Sequence, residues 1–212
     1  MAAGKSTAAA RGAWILFEDE ASQSLRPPRA RTWGRVGVTP VVSVRGRGSG
    51  WASMAGMACF KPGKRSRFLY SFRVHRGRKG EPKAFTWQDY RDLILRAHRQ
   101  LSGPVALVWD NLRAHLMPQM QALAAANADW PTVFQLPSYA PHLNPQEGIW
   151  SLVKRAIGNL AAADLDQLAQ AVKRNLKKIQ YRPPPGRRVP RRRRPEPGPP
   201  TAIRPTSRNQ LQ

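Results

Sequence analysis

The sequence predicts an α/β fold: a mixed sheet of three antiparallel strands followed by parallel strand-helix units, flanked by helices. Three observations carry this expectation. Between residues 14 and 74 apolar runs of strand length are separated by Gly, Lys and Arg clusters, with no helical period. From residue 86 the apolar spacing changes to every three or four positions. Beyond residue 105, apolar runs alternate with helical segments, as parallel strands joined by crossover helices do.

Taken in order, WILFE (14–18) reads as a short buried strand with Asp19 at its end. VVSV (41–44), WASMAGMACF (51–60) and RFLYSFRV (67–74) follow as the antiparallel half. Trp87, Tyr90, Ile94, Ala97 and Leu101 share one face of a helix that Thr86 caps, with Asp89 three positions on. VALVW (105–109) is a second buried strand, and it ends on Asp110. A helix over Pro118–Ala126 and a strand TVFQL (132–136) come next. One helix opens at Pro145, and a last one behind Asp164 places Leu165, Leu168, Val172, Leu176 and Ile179 on one face. No internal repeat is present.

A chain of 212 residues holds one well-cored domain plus appendages. Residues 13–181 are expected to form that domain, with a disordered segment at 1–12 and a disordered tail at 182–212 whose prolines and arginines leave little apolar surface to bury. Lys and Arg number 36 against 12 Asp and Glu, a net +24, which calls for a polyanionic partner. Counted from residue 183, the tail's eight arginines and one glutamate supply less than a third of that charge, so the core is basic in its own right. Cys59, the single cysteine, makes neither an intramolecular disulfide nor a thiolate zinc site, which fits a reducing compartment, the cytoplasm. The four histidines lack zinc spacing. No apolar run is long enough to span a membrane, and MAAGKSTAAARGAW lacks the apolar middle of a secretory signal. GKST (4–7) lacks the earlier glycine and the preceding strand of a phosphate-binding loop.

Three of the twelve acids lie where an acid is awkward: Asp19 and Asp110 at the ends of apolar strands, Glu147 at the start of an apolar helix. Each has a structural alternative. Glu18-Asp19-Glu20 reads equally as a solvated turn, Asp110-Asn111 as a turn, and Asn144-Pro145-Gln146-Glu147 as a capping box. Taken together they suit metal chemistry. Ligands bind beyond the carboxyl ends of sheet strands, and Mg²⁺ or Mn²⁺ takes hard oxygen donors from a few carboxylates plus substrate phosphates. A pair of such ions supports in-line displacement at phosphorus. Glycoside hydrolysis, the other paired-carboxylate chemistry, gains nothing from a +24 surface.

The strings FEDEASQSLRPPRARTWGRVGVTP (17–40), VALVWDNLRAH (105–115) and LPSYAPHLNPQEGIWSLVK (136–154), with the strands between the first two, resemble the DDE transposases of bacterial insertion sequences related to the Tc/mariner superfamily. YAPHLNPQEGIW is the most specific block, its glutamate 37 positions beyond the strand-end Asp-Asn pair. The resemblance covers about residues 13–180. It implies an RNase H-like fold, with Asp19, Asp110 and Glu147 as catalytic metal ligands and Glu18 and Glu20 as bystanders. It further implies two Mg²⁺ ions, replaceable by Mn²⁺, and DNA as partner, both transposon ends and target, with a homodimer assembled on it. The reaction implied is strand cleavage at transposon ends followed by strand transfer. The thirteen residues before Trp14 are too few for the family's helix-turn-helix domain, which is expected to be absent. A catalytically inactive DNA-binding remnant is therefore the alternative, and a junction-resolving nuclease would share the metal chemistry but not the YAPHLNPQE block.

Around these acids, His115 is placed to orient a phosphate or a water, or is an ordinary helix-start histidine, and His142 carries the same two readings. Arg29, Arg31, Arg35, Arg45 and Arg47 follow the first strand as phosphate contacts or as a solvated basic loop. Trp33 and Trp150 stack on bases or pack in the core, with packing favoured for Trp150.

Overall fold

A computed structural model describes residues 10–41, 43, 50–137 and 143–181. Five strands and four helices succeed one another along these residues: β1 (Trp14–Ser24), β2 (Trp51–Phe60), β3 (Arg67–His75), α1 (Trp87–Leu101), β4 (Val105–Trp109), α2 (Pro118–Ala126), β5 (Pro131–Gln135), α3 (Gln146–Ala156) and α4 (Leu165–Tyr181). The strands make one sheet in the order β3-β2-β1-β4-β5. The first three pair antiparallel, whereas β1, β4 and β5 run parallel. This is the mixed sheet the alternating apolar runs predict.

Each face of the sheet is covered by a helical pair, because side chains alternate across a strand. Trp14 and Leu16 of β1, with Val105, Leu107 and Trp109 of β4, pack against Tyr90, Leu93, Ile94, Ala97 and Leu101 of α1 and Met120 of α2. On the opposite face, Phe17 and Val108 meet Ile149, Trp150 and Val153 of α3 and Leu168, Val172, Leu176 and Ile179 of α4. The apolar stripes read from the sequence are thus the buried faces of α1 and α4. Cys59 is buried and unpaired. Among the described residues no helix is long and apolar enough to cross a membrane.

The predicted cap of α1 is present: Asp89 Oδ2 accepts from the Thr86 N–H at 2.7 Å and from its hydroxyl at 2.9 Å. Asp164 caps α4, its Oδ1 accepting from the Gln167 N–H at 2.8 Å.

Several boundaries differ from expectation. β1 runs on to Ser24, so Asp19 is mid-strand and not at a strand end. The polar stretch after Phe17 stays extended because β2 continues to pair with it as far as Ser24↔Trp51. Of the strand expected at 41–44, Val41 and Ser43 are not in a strand, and Val42 and Val44 lie outside the described residues. Val41 is exposed, so no apolar face holds it to the sheet. β5 opens one residue early, at Pro131. Helix α3 begins at Gln146, with Pro145 before it as the capping position. The segments expected to be disordered lie outside the described residues at 1–9 and 182–212.

One close approach fixes how α3 sits on the sheet. A Cβ added to Gly56 would collide with Gln146 Nε2 and stand 2.8 Å from Trp150 Cη2 and 3.0 Å from Phe68 Cε2. The missing side chain at Gly56, which pairs with Asp19 across β1 and β2, lets α3 lie close against the acid-bearing strand. Gly56→Ala is expected to cost about 1–3 kcal/mol through overpacking, read as a fall of several degrees in the melting temperature. An unchanged melting temperature would show that α3 is free to shift.

Candidate active site

The alternation of β1 divides its three consecutive acids. Asp19 has the parity of Phe17 and faces the α3 layer, while Glu18 and Glu20 have the parity of Leu16 and face the α1 layer. Asp110, two residues after Val108, has the same parity as Asp19. The parallel ladder pairs Phe17 with Val108, and continuing that register by two residues sets Asp110 beside Asp19. Two aspartates far apart in sequence are neighbours because their strands are adjacent and parallel.

Each carboxylate is held by donors. Asp19 Oδ1 accepts from the Glu20 N–H at 2.9 Å, and Oδ2 accepts from Trp150 Nε1 at 3.2 Å. Trp150 is buried, so the indole both packs in the core and orients an acid. Asp110 Oδ1 accepts from the Leu112 N–H at 2.9 Å and lies 3.1 Å from His115 Nδ1. His115 Nε2 in turn stands 2.9 Å from Glu18 Oε2, a charge contact whose alignment falls short of a good hydrogen bond. The ring lies flat against Trp109, with centroids 4.6 Å apart, and edge-on to Tyr90 at 4.7 Å. The Tyr90 hydroxyl donates to Glu20 Oε2 at 2.6 Å.

Charge crowding shows in the proton affinities. Burial is the main force pushing the Asp19 carboxyl up to about 7, and the negative charges of Glu18, Glu147 and Asp110 add to it against the pull of the Glu20 N–H. Glu18 is also raised, by burial above all, although His115 opposes the shift. Asp110 is lowered, chiefly by its hydrogen bond from His115. Burial pulls His115 down, but the contacts with Asp110 and Glu18 outweigh it and push the imidazole up to about 9. The raised proton affinity of the ring favours an imidazolium between Asp110 and Glu18.

Glu147 is exposed in the first turn of α3. In the alternative reading of Glu147 as the end of a capping box, Asn144 is the cap, and it does cap the helix: its Oδ1 accepts from the Gln146 N–H at 3.1 Å. Its Nδ2 reaches the Glu18 carbonyl at 3.4 Å and ties the start of α3 to β1. The Glu147 carboxylate is left available near the N-terminus of a helix.

These acids fit a divalent cation in kind: they offer hard oxygen donors, and their mutual repulsion is what a cation relieves. Among the described residues no three acid, histidine or cysteine side chains form a ready-made cage. Mg²⁺ sites are commonly held by one or two carboxylates plus substrate phosphates, so such a cage is not required.

The family model for the DDE superfamily endonuclease matches residues 14–169, which span all three acids. The chain belongs to this family. No curated protein sequence matches it significantly. Among solved structures, it is similar to the Mos1 mariner paired end complex with Mn, at a TM-score of 0.50 and 15% identity, over 79% of this chain and 53% of that one. The Mos1 mariner paired end complex with Mg overlaps at a TM-score of 0.50 and 15% identity, over 79% and 52%. The chain thus spans about half the length of these solved chains. The shared fold is RNase H-like.

In this member of the DDE family the remaining candidates separate clearly. Arg29, Arg31 and Arg35 are exposed, as is Trp33. Arg45, Arg47 and His142 lie outside the described residues. His115, expected to meet a phosphate or water, is only 2% exposed and holds Asp110 instead. Glu18, expected to be a bystander, is 1% exposed and is the other partner of that ring. Its position was open to reading: in Trp14-x-Leu16-x-Glu18 the acid takes the parity of two core residues.

The raised Asp19 fixes the sign of a pH effect. Folding disfavours its ionised form, so stability falls as pH rises from near 3.8, the ordinary value, and the full cost applies above about 7. Asp19→Asn is therefore expected to stabilise the metal-free protein by about 1–2 kcal/mol at pH 8, a figure reduced for partial solvent screening. The gain should vanish near pH 4. Melting temperatures of both proteins across that range check this, and a variant less stable at pH 8 would contradict the assignment of burial and charge repulsion as the causes.

Proposed function

We propose that this chain is the catalytic domain of a transposase, cutting DNA at transposon ends and joining the freed end to target DNA with a divalent metal. The observation that carries this reading is the register of the parallel β1–β4 ladder, which sets Asp19 beside Asp110 on the sheet face that α3 covers. The coulombic influence of Glu147 and Asp110 on Asp19 supports placing all three acids in one site. The DDE family match supports the chemical class.

Asp19, Asp110 and Glu147 would hold the metal, Mg²⁺ with Mn²⁺ able to substitute, and two ions are the number proposed. When bound, such ions lower the barrier to in-line displacement at phosphorus by offsetting charge on the attacking and leaving oxygens. The protein's own contributions are positional. Trp150 Nε1 and the Glu20 N–H orient the Asp19 carboxylate, and His115 with the Leu112 N–H orients Asp110. Arg31 and Arg35 lie exposed on the segment after β1 and supply phosphate contacts; Arg29 and Trp33 extend that basic, aromatic surface. Arg45 and Arg47 belong to the same proposed surface by sequence position. Transposon ends and target DNA are the proposed partners, with a homodimer on the DNA and a cytoplasmic location. The domain is taken as residues 13–181.

Two experiments test this reading. Supercoiled DNA incubated with the chain and Mg²⁺ or Mn²⁺ is expected to be nicked, and Asp110→Ala should reduce nicking to background; equal activity in both proteins would defeat the assignment. Replacing Arg31 and Arg35 with alanine should weaken DNA binding across sequences and lower the slope of log affinity against log salt by about one per lost phosphate contact. An unchanged slope would remove these two arginines from the interface.

A further inference from the structure

We propose that Glu18 and His115 are positioning residues that lock the two aspartates of the site in register, with the His115 ring bridging the strands where their backbone pairing stops. This inference rests on the proposed metal site. The β1–β4 ladder ends at Phe17↔Val108, and β4 itself ends at Trp109, so the acids lie beyond the last paired residues. At that level His115 spans the gap. Its Nδ1 is 3.1 Å from Asp110 Oδ1 and its Nε2 is 2.9 Å from Glu18 Oε2, the residue before Asp19.

Three features make the bridge rigid. The His115 and Glu18 side chains are each 1% exposed, so water does not compete for either contact. Trp109 stacks on the ring with only 4° between planes, and Tyr90 meets it edge-on, so the ring plane is fixed from two directions. The Tyr90 hydroxyl also holds Glu20, so contacts from this ring cluster reach β1 on both sides of Asp19. Asp110 keeps its side chain 48% exposed while one oxygen is held, which leaves the other to face a ligand. Partners that orient a metal-binding side chain typically change metal affinity by about 10- to 100-fold when removed.

The test is Mn²⁺ binding to the full chain, followed by electron paramagnetic resonance, with folding of each variant checked by circular dichroism. His115→Gln and Glu18→Ala are each expected to weaken Mn²⁺ binding by about tenfold or more. Glu18→Gln, which keeps the side chain's shape and an acceptor oxygen facing His115 Nε2 but loses the charge, should recover part of the binding lost in Glu18→Ala. In an Asp110→Asn background His115→Gln should cause little further loss, because the ring acts through Asp110. An equal loss in both backgrounds would make His115 merely structural and overturn the inference. So would unchanged Mn²⁺ affinity in folded His115→Gln and Glu18→Ala while Asp110→Asn alone is weakened, a result that leaves the metal site standing. A parent chain that binds no Mn²⁺ would overturn both the site and this inference. Should His115→Gln fail to fold, the contrast between Glu18→Ala and Glu18→Gln decides alone.

Discussion

Negative charge gathers where the β1–β4 ladder stops, and the arrangement around it answers the problem that this creates. Burial above all, with the charges of Glu18, Glu147 and Asp110 added to it, lifts the Asp19 carboxyl to about 7. Like charges in a partly dry setting repel far more than in water. The sheet nevertheless keeps them together, because Asp19 sits in a strand paired through its whole length with β2 and cannot retreat. The cost of that placement is met by apolar packing on both faces of the sheet, which does not depend on the acids.

The two faces handle the charge differently. On the α1 side, Glu18 is buried within 2.9 Å of His115 Nε2 and Glu20 accepts from Tyr90, so those acids face protein partners and not solvent. On the α3 side, Asp19 has an indole and a backbone N–H, Asp110 remains half exposed, and Glu147 stands in solvent. Enclosure by protein groups on one face and acids left open to solvent on the other is what separates a supporting network from a site prepared for a cation. Trp150 belongs to both roles, since one ring fills the core beside Phe68 and its nitrogen orients Asp19.

Most of the framework was legible because it rests on local periodicity. The stripes of α1 and α4 and the apolar runs of β1 and β4 are set by burial, which leaves a repeating mark in the sequence. Asp110 at the close of VALVW was readable for the same reason. What was misread depended on tertiary partners. WILFE looked like a complete strand because its apolar run ends at Phe17, yet β2 carries the pairing seven residues further. The helix that carries Glu147 looked as if it opened at Pro145, whereas it starts one residue later, with Asn144 bonding the Gln146 N–H. His115 read as a phosphate- or water-orienting residue or an ordinary helix-start histidine because nothing local shows that Trp109, Tyr90 and Glu18 enclose it.

Gly56 and Gln146 extend this logic from the acids to the helix that carries one of them. Gln146 is fully buried, and its amide finds no hydrogen-bond partner among the described residues, an arrangement that ordinarily costs stability. It sits over Gly56, the β2 residue paired with Asp19, at the point where α3 begins and Glu147 follows. An apolar residue of similar size at 146 would fill the same space without the unpaired amide, so burial alone does not explain an amide here. The close contact connects packing to chemistry, since the glycine that admits α3 pairs with Asp19 and the residue it admits precedes Glu147.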